Sequence, residues 1–349
     1  MLHHRFLAGL VLAVSLAAAP AAEAQTAAPL GQYKIDPAQT SVSGLSSGAY
    51  MAMQYHVAHS ASLLGAGIVA GGPDLCAEGN PALAIGCMKI LPAAAEATAA
   101  TLFNQAKLLA SIGQIDQIAN LASSRVYLFS GKNDSVVSTG SVDAARRFYE
   151  LAGVKTITYD NSLPAGHAFI SPNARNSCDV NASPFVSKCM VNGQPYDQPL
   201  QVLKALYGPL NPPSPKTEQA VPFDQTAFGS AKAGMANTGY VYVPAACKGK
   251  NAQACRIHVV FHGCLQSAEN PGIGDVVYDQ VGYNRWAATN RIIVLYPQVA
   301  ANNPLNPQTC WDWFGYTNVP FMDIPTHYAT TAAPQIKAVT AMIQALAGK

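Results

Sequence analysis

The chain has 349 residues, a formal net charge of +2 and a 50% share of hydrophobic residues. This apolar content is ample for a buried core and excludes an intrinsically disordered chain. The near-neutral charge gives no support for nucleic-acid binding, and we expect none. Only 11% of the residues are charged, against about 25% in an average soluble protein, so we expect a surface of neutral polar side chains that suits contact with a neutral, poorly soluble molecule.

The first 24 residues have the three-part layout of a secretory signal peptide. A basic start precedes an apolar run over residues 6–19, and Ala22-Glu23-Ala24 follows. The apolar run is short for a membrane span. We expect cleavage after Ala24, which leaves a mature chain of residues 25–349 without a transmembrane helix, secreted to the periplasm or the cell exterior. An uncleaved anchor is the alternative.

The sequence contains eight cysteines. An even number in an exported chain indicates disulfides. A metal site is the alternative, but no C-x-x-C or H-E-x-x-H spacing is present, so we expect neither a metal nor another cofactor. Three pairs are separated by short loops, and the fourth follows by elimination. The predicted pairs are Cys76–Cys87, Cys178–Cys189, Cys247–Cys255 and Cys264–Cys310.

Residues 44–48 read Gly-Leu-Ser-Ser-Gly, which matches G-x-S-x-G. A short predicted strand precedes them, residues 25–40 form a polar lead-in, and a helix is predicted to run on to about His59. This strand-to-helix context is the one the motif requires, so Ser46 is the candidate nucleophile. A chain with 27 glycines can match the motif by chance. The assignment of Ser46 as a nucleophile therefore depends on whether an acid and a base accompany it.

Predicted strands and helices alternate after the motif. This alternation predicts an α/β fold with a mostly parallel central sheet and helices on both faces. The strands are predicted at 64–70, 125–130 and 155–159, and the helices at 92–122 and 141–152.

Ser46, Asp134 and His167 each follow a different predicted strand, where ligands of parallel sheets bind. Taken alone, Asp134 suits a turn and His167 suits an exposed loop. Their chain order of Ser, Asp and His is that of the α/β-hydrolases, which indicates a catalytic triad. The histidines that we assign to structural or surface roles are His56, His59, His258 and His327.

The second half carries an H-G turn at His262-Gly263, directly after a strand predicted at 257–261. This strand and the one predicted at 240–243 are expected to be neighbours. In α/β-hydrolases an H-G turn contributes an oxyanion-hole amide, but it normally precedes the nucleophile. Further elements predicted are a helix at 285–289, a strand at 292–296 and a terminal helix at 332–346.

Placing the terminal helix before the Ser46 strand restores the usual order of an α/β-hydrolase. We therefore predict a circularly permuted α/β-hydrolase fold in which residues 25–349 form one catalytic domain. The alternative is two domains divided near residues 209–215. Permutation is favoured because the first half has no oxyanion strand and the second half supplies one.

The chain carries six segments with the sequences GLSSGAYMA, AGGP, GCLQS, GYN, YPQ and CWDW. They begin at residues 44, 70, 263, 282, 296 and 310. Together they resemble the single-domain poly(3-hydroxybutyrate) depolymerases of the Penicillium type, and the resemblance extends across nearly the whole mature chain.

The resemblance implies a circularly permuted α/β-hydrolase and a set of site residues. The implied roles are Ser46 as nucleophile, Asp134 and His167 as its partners, the backbone amides of Ser47 and Cys264 as the oxyanion hole, Trp313 lining a crevice for the polymer, and a Cys264–Cys310 disulfide.

The expected function is a secreted, monomeric ester hydrolase that acts on a hydroxyalkanoate polyester through an acyl-enzyme. An esterase for other acyl or aryl esters on the same fold is the first alternative, because a fold does not fix a substrate. A secreted binding protein without activity is the second, and the complete Ser, Asp and His set argues against it.

Overall fold

The structure is a computed structural model and describes residues 27–229, 232–319 and 322–349. The predicted signal peptide lies outside these residues. The strands are β1 (Ile35–Leu45), β2 (Gly65–Val69), β3 (Arg125–Phe129), β4 (Thr156–Asp160), β5 (Phe169–Ile170), β6 (Asn176–Ser177), β7 (Val186–Lys188), β8 (Met190–Val191), β9 (Gln194–Pro195), β10 (Val221–Asp224), β11 (Thr238–Tyr242), β12 (Cys255–Phe261) and β13 (Ile292–Tyr296). The helices are α1 (Ser47–Ala58), α2 (Pro81–Met88), α3 (Ala95–Ser111), α4 (Thr139–Leu151), α5 (Gln198–Tyr207), α6 (Tyr283–Asn290) and α7 (Pro334–Leu346).

An eight-stranded sheet forms the centre, in the order β10-β11-β13-β12-β1-β2-β3-β4. The strands from β13 to β4 in this order are parallel. At the other edge β11 is antiparallel to β13, and β10 is antiparallel to β11. The continuous apolar sequences of β2 and β13 suit strands that are covered on both faces. The predicted mostly parallel α/β sheet is confirmed.

Two local predictions are wrong. β11 and β12 are not neighbours, because β13 lies between them and pairs with β11 in antiparallel register, with Tyr240 opposite Tyr296. The helical crossover through α6 returns β13 parallel to β12, so the edge left for β11 is that of β13. The predicted lead-in is also shorter than expected, because β1 begins at Ile35 and pairs there with Cys255.

The permuted order is visible at β1. β12, the strand that leads to the H-G turn, lies directly beside β1 although more than two hundred residues separate them in sequence. The last helix, α7, ends next to the entry of β1, where the Tyr33 amide donates to the Leu346 carbonyl at 2.8 Å. Strands from both halves of the chain therefore share one sheet, and a path from α7 into β1 would restore the usual order.

Helices cover both faces of the sheet, and a buried histidine lies in the centre of one face. His258 on β12 bonds the hydroxyls of Ser41 and Ser43 on β1, each at 2.8 Å. These hydroxyls are in turn bonded by Tyr207 of α5 and Tyr283 of α6. α1 contacts the opposite face of β1, β2 and β12. The structural role predicted for His258 is confirmed.

Burial lowers the pKa of the His258 ring to about 3, and this predicts an acid-sensitive fold. A histidine of the unfolded chain titrates near 6.5, so below that pH the unfolded state takes up a proton that the folded state does not. The stability from this group is present above pH 6.5 and is lost as the pH falls. Between pH 7.5 and pH 5 the loss is about 2 kcal/mol.

His258→Asn has no titrating group at this position. We expect the gap in unfolding free energy between wild type and His258→Asn to shrink by about 2 kcal/mol from pH 7.5 to pH 5. Urea denaturation at both pH values measures it. A gap of equal size at both would show that the ring does not titrate as the structure implies.

All four predicted disulfides are confirmed. The structure contains Cys76–Cys87, Cys178–Cys189, Cys247–Cys255 and Cys264–Cys310, with Cα separations of 5.7, 4.5, 6.0 and 4.2 Å. Three of them close loops of fewer than a dozen residues. The fourth joins the loop after β12 to a segment 46 residues further on.

α2 is a short helix that is held by a side-chain cap at its start and by a disulfide at its end. Asn80 caps it by accepting from the Ala82 amide at 3.0 Å, and Cys87 in its last turn belongs to a disulfide.

Within the described ranges, no helix taken singly is long and apolar enough to cross a membrane. The segments Pro81–Met88 and Pro92–Ser111 pass a test of length and composition only as a pair bent by 111°.

Candidate active site

Ser46 lies on the turn between β1 and α1. Its backbone has φ 57° and ψ −123°, a strained conformation typical of nucleophile elbows. The turn requires glycine on both sides: a Cβ on Gly44 would lie 2.3 Å from the Gly48 carbonyl oxygen, and a Cβ on Gly48 would lie 2.3 Å from the Phe261 carbonyl oxygen. The two glycines therefore let the elbow pack directly against β12.

Asp134 and His167 are joined by a hydrogen bond. Asp134 follows β3, and its Oδ1 accepts from the amides of Val136 and Val137, both at 2.8 Å. Its Oδ2 lies 2.8 Å from His167 Nδ1, and the two side chains are only 1% and 5% exposed. The carboxylate is thus fixed on one side by backbone amides and presents its other oxygen to the imidazole. This is the arrangement of an acid that orients a base.

Ser46 and His167 line the same pocket, a cavity of about 160 Å³. Its remaining walls are mostly apolar and include Met88, Val136 and Phe185. The hydrogen bonds of the described residues do not include one between Ser46 Oγ and His167 Nε2. Such bonds are often long in unliganded sites and shorten when substrate binds. The pocket therefore brings the predicted nucleophile and base to one small apolar space.

The H-G turn lies beside Ser46, as the permuted order predicts. A Cβ on Gly263 would lie 3.4 Å from the Ser46 Cβ. The amides of Ser47 and Cys264 make no backbone hydrogen bond to another described residue, whereas the Gly263 amide donates to Gln266 Oε1 at 2.8 Å. Two free N–H groups next to the nucleophile are what an oxyanion hole requires.

The His262 side chain fixes the peptide between Gly263 and Cys264. Its Nδ1 donates to the Gly263 carbonyl at 2.7 Å, and its Nε2 accepts from the Val299 amide at 3.2 Å. These two bonds assign the neutral tautomer with the proton on Nδ1. Burial lowers the pKa of His262 to about 4, so the ring is neutral at physiological pH. A hydrogen bond to this carbonyl orients the N–H at the other end of the same peptide.

We expect His262→Ala to lower kcat on a soluble ester by about tenfold to a hundredfold, with KM little changed. The loss is smaller than the roughly hundredfold to thousandfold seen when an oxyanion donor itself is removed, because the Cys264 amide remains. Steady-state kinetics with titrated active sites measure it. His59→Ala is the matched control, since His59 bonds Thr340 and does not line the Ser46 pocket. A raised KM with an unchanged kcat would contradict this role.

Trp313 is not among the residues that line the Ser46 pocket. Its ring is 5% exposed and stacks on Tyr50 at a centroid distance of 4.1 Å. Both belong to a small buried cluster that Met88 joins, and Met88 does line the pocket. In the structure Trp313 packs on Tyr50 in this cluster, and its contact with a polymer chain stays a prediction.

Sequence reasoning did not identify the His262 side chain, Met88 or Phe185 as parts of the site. Only His262 carried a usable signal, because it is the first residue of the H-G turn. Met88 ends α2, and Phe185 lies in the loop closed by Cys178–Cys189. Neither position belongs to a motif, since both reach the pocket through long-range packing.

Two known proteins are similar to this chain in sequence. A poly(3-hydroxybutyrate) depolymerase of Delftia acidovorans is 42% identical over 320 residues, which cover 89% of this chain and 60% of that protein's length. A polyhydroxybutyrate depolymerase of Talaromyces funiculosus is 35% identical over 311 residues, which cover 84% of this chain and 87% of that protein. No protein-family model matches the chain.

Two solved structures are similar along almost their whole length. The PHB depolymerase from Penicillium funiculosum has a TM-score of 0.77 and 31% identity, and the match covers 92% of this chain and 99% of that one. A serine-to-alanine variant of a PHB depolymerase in complex with an R3HB trimer has a TM-score of 0.79 and 30% identity, with coverage of 92% and 99%.

The strand order, the elbow at Ser46 and the H-G turn beside it define a circularly permuted α/β-hydrolase. Identity above 30% with relatives that the chain matches over most of its length narrows the class further. The chain belongs to the polyhydroxybutyrate depolymerase family.

Proposed function

We propose that the chain is an exported serine ester hydrolase that depolymerises poly(3-hydroxybutyrate)-type polyesters. The single observation that carries this proposal is the 2.8 Å bond between His167 Nδ1 and Asp134 Oδ2 in the pocket that also contains Ser46. The family membership supports the ester substrate, and the complex of one relative with an R3HB trimer supports its hydroxybutyrate unit.

In the acylation step His167 Nε2 takes the proton of the Ser46 hydroxyl as Oγ attacks the ester carbonyl. Asp134 keeps the Nδ1 proton in place and stabilises the imidazolium that forms. The imidazolium then protonates the leaving alcohol, and the acyl group stays on Ser46. A water molecule, activated by the same ring, hydrolyses the acyl-enzyme and releases a carboxylic acid.

We assign the backbone amides of Ser47 and Cys264 as the donors that stabilise the negatively charged oxygen of each tetrahedral intermediate. Each such donor contributes about 3 kcal/mol to transition-state stabilisation in other serine hydrolases. The Cys264–Cys310 disulfide supports this assignment, because it ties the loop after β12 to a neighbouring segment. The Leu265 amide donates to the Gln308 carbonyl at 2.7 Å and adds a second tie.

The pocket size supports a short acyl unit. Its cavity of about 160 Å³ is walled by Met88, Val136, Phe185 and Leu265, none of which carries a charge. A four-carbon hydroxyacyl group presents a methyl group and an ester but no charge, so it suits such walls. Trp313 is proposed to contact a more distant unit of the polymer.

We further propose that residues 25–349 form one catalytic domain, that residues 1–24 are removed on export, and that the mature chain acts as a monomer without a nucleic-acid partner. The shared eight-stranded sheet supports one domain. The four disulfides support export, because such bonds persist in oxidising compartments.

The test compares mature protein and Ser46→Ala on a suspension of amorphous poly(3-hydroxybutyrate) and on p-nitrophenyl esters. We expect the wild type to clear the suspension and release hydroxybutyrate oligomers, and the variant to do neither. Hydrolysis of the soluble esters without clearing would favour the esterase for other esters. Activity on neither substrate would leave only a binding protein.

A further inference from the structure

A disulfide-closed loop lies against both loops that carry the acid and the base. It runs from Cys178 to Cys189. Its first residue accepts a hydrogen bond from the Gly166 amide at 2.8 Å. The approach is close, since a Cβ on Gly166 would lie 2.5 Å from the Val180 carbonyl oxygen. This loop, which we call the brace loop, therefore supports the residue just before His167.

One side chain of the brace loop connects the two catalytic loops directly. Asn181 Oδ1 accepts from the His167 amide at 2.8 Å and from the Ser135 amide at 3.0 Å. Asn181 Nδ2 donates to the Asn133 carbonyl at 3.0 Å and to the Asp179 carbonyl at 3.1 Å. A carboxamide offers two acceptor positions and two donors, so all four are used.

These contacts bracket the predicted acid. Asn181 holds the residue before Asp134 through its carbonyl and the residue after it through its amide. The same oxygen that holds the Ser135 amide also holds the backbone of His167. The acid and base loops also bond each other directly, since the Lys132 and Asn133 amides donate to the Leu163 and Ala165 carbonyls at 2.9 and 3.0 Å. Asn181 adds one planar group whose bonds reach the residues on both sides of Asp134 and the backbone of His167.

We propose that Asn181 is a positioning residue that sets the relative placement of Asp134 and His167. The inference rests on the proposed function of these two residues and deepens it. Asn181 does not line the Ser46 pocket, so it acts through the other two side chains and not on substrate. Misplacing a catalytic group by about 1 Å can cost about a hundredfold in rate.

The experiment uses the mature chain, its Asn181→Ala variant and the matched control Asn176→Ala. Asn176 lies just before this loop, and among the residues that the structure describes its Nδ2 donates only to the Ala182 and Ser183 carbonyls. We expect Asn181→Ala to lower kcat on a soluble ester by about tenfold to a hundredfold with KM within about twofold. The control should keep kcat within about threefold of wild type. Active-site titration normalises each rate to competent enzyme.

A spectroscopic signature separates positioning from general support of the fold. The proton on His167 Nδ1 gives a low-field NMR resonance when it is held against a carboxylate, and we expect it to shift or broaden in Asn181→Ala but not in Asn176→Ala. An unchanged kcat, a loss carried by KM alone, or an unchanged resonance would overturn the proposal.

Two further variants keep the outcomes distinct. Should Asn181→Ala fail to fold, Asn181→Ser keeps a small polar side chain without the carboxamide, and the same criteria apply to it. Ser46→Ala is measured on the same ester. If Ser46→Ala retains activity, the proposed function itself fails. If Ser46→Ala is inactive while Asn181→Ala is unchanged, only the present proposal fails.

Discussion

Replacing Ser46 by alanine is expected to lower kcat on a soluble ester by about 10⁵-fold to 10⁶-fold. The reason is that the variant cannot form the acyl-enzyme. The activity that remains comes from substrate binding and the oxyanion hole alone. The measurement is steady-state hydrolysis of p-nitrophenyl butyrate at high enzyme concentration, with thermal melts to show that the fold is retained.

Ser47 provides the matched control, because it lies next to Ser46 on the same elbow. Its assigned role uses only the backbone amide, and its hydroxyl accepts from the Trp311 amide at 3.3 Å. Ser47→Ala keeps the backbone amide, so we expect a loss of less than about tenfold. Residual activity of Ser46→Ala within about a hundredfold of wild type would remove Ser46 from the mechanism.

Asp134→Asn is expected to lower kcat by about 10⁴-fold, as the equivalent change does in other triads. The geometry gives the reason. The amides of Val136 and Val137 both donate to Oδ1, so they hold the asparagine oxygen at that position and turn its NH₂ group toward His167. The ring must then accept at Nδ1 and carry its proton on Nε2, where it cannot take the proton of Ser46.

Kinetics of Asp134→Asn at constant pH test this effect, with Asp160→Asn as the control. Asp160 ends β4 and bonds Ser162 and Tyr196, so it shares the strand-end position but not the pocket. We expect the control to keep wild-type kcat within about threefold. A loss below about tenfold in Asp134→Asn would mean that the carboxylate does not set the tautomer of His167.

Local patterns in the sequence predict the elements that surround the site. The elbow, the strands before Asp134 and His167, and the H-G turn each have a signature of a few consecutive residues, and the structure places each near the expected position. The permuted order also follows from the sequence, because the H-G strand appears after the nucleophile instead of before it.

Contacts that depend on distant segments could not be predicted. The sequences of β11, β12 and β13 do not specify that β13 and not β11 lies beside β12, because that choice depends on the crossover through α6. The same limit applies to Trp313, whose stacking on Tyr50 depends on how α2 and its disulfide cover both rings. Aromatic residues near a site can line it or support it, and composition does not separate the two.

The Asn181 contacts illustrate this limit at the scale of one side chain. An asparagine three residues before a proline in a polar loop is ordinary turn chemistry when taken alone. Three of its four hydrogen bonds become visible only once the loops after β3 and β4 are brought together.

The central claim is that Ser46 carries the depolymerisation. The most direct test treats the mature protein with a serine-directed organophosphate, locates the adduct by peptide mass spectrometry, and measures clearing of poly(3-hydroxybutyrate) against the fraction of protein modified. The account predicts one adduct per chain, on the peptide that contains Ser46, and a loss of clearing in proportion to modification. Full modification of Ser46 with clearing intact would contradict it.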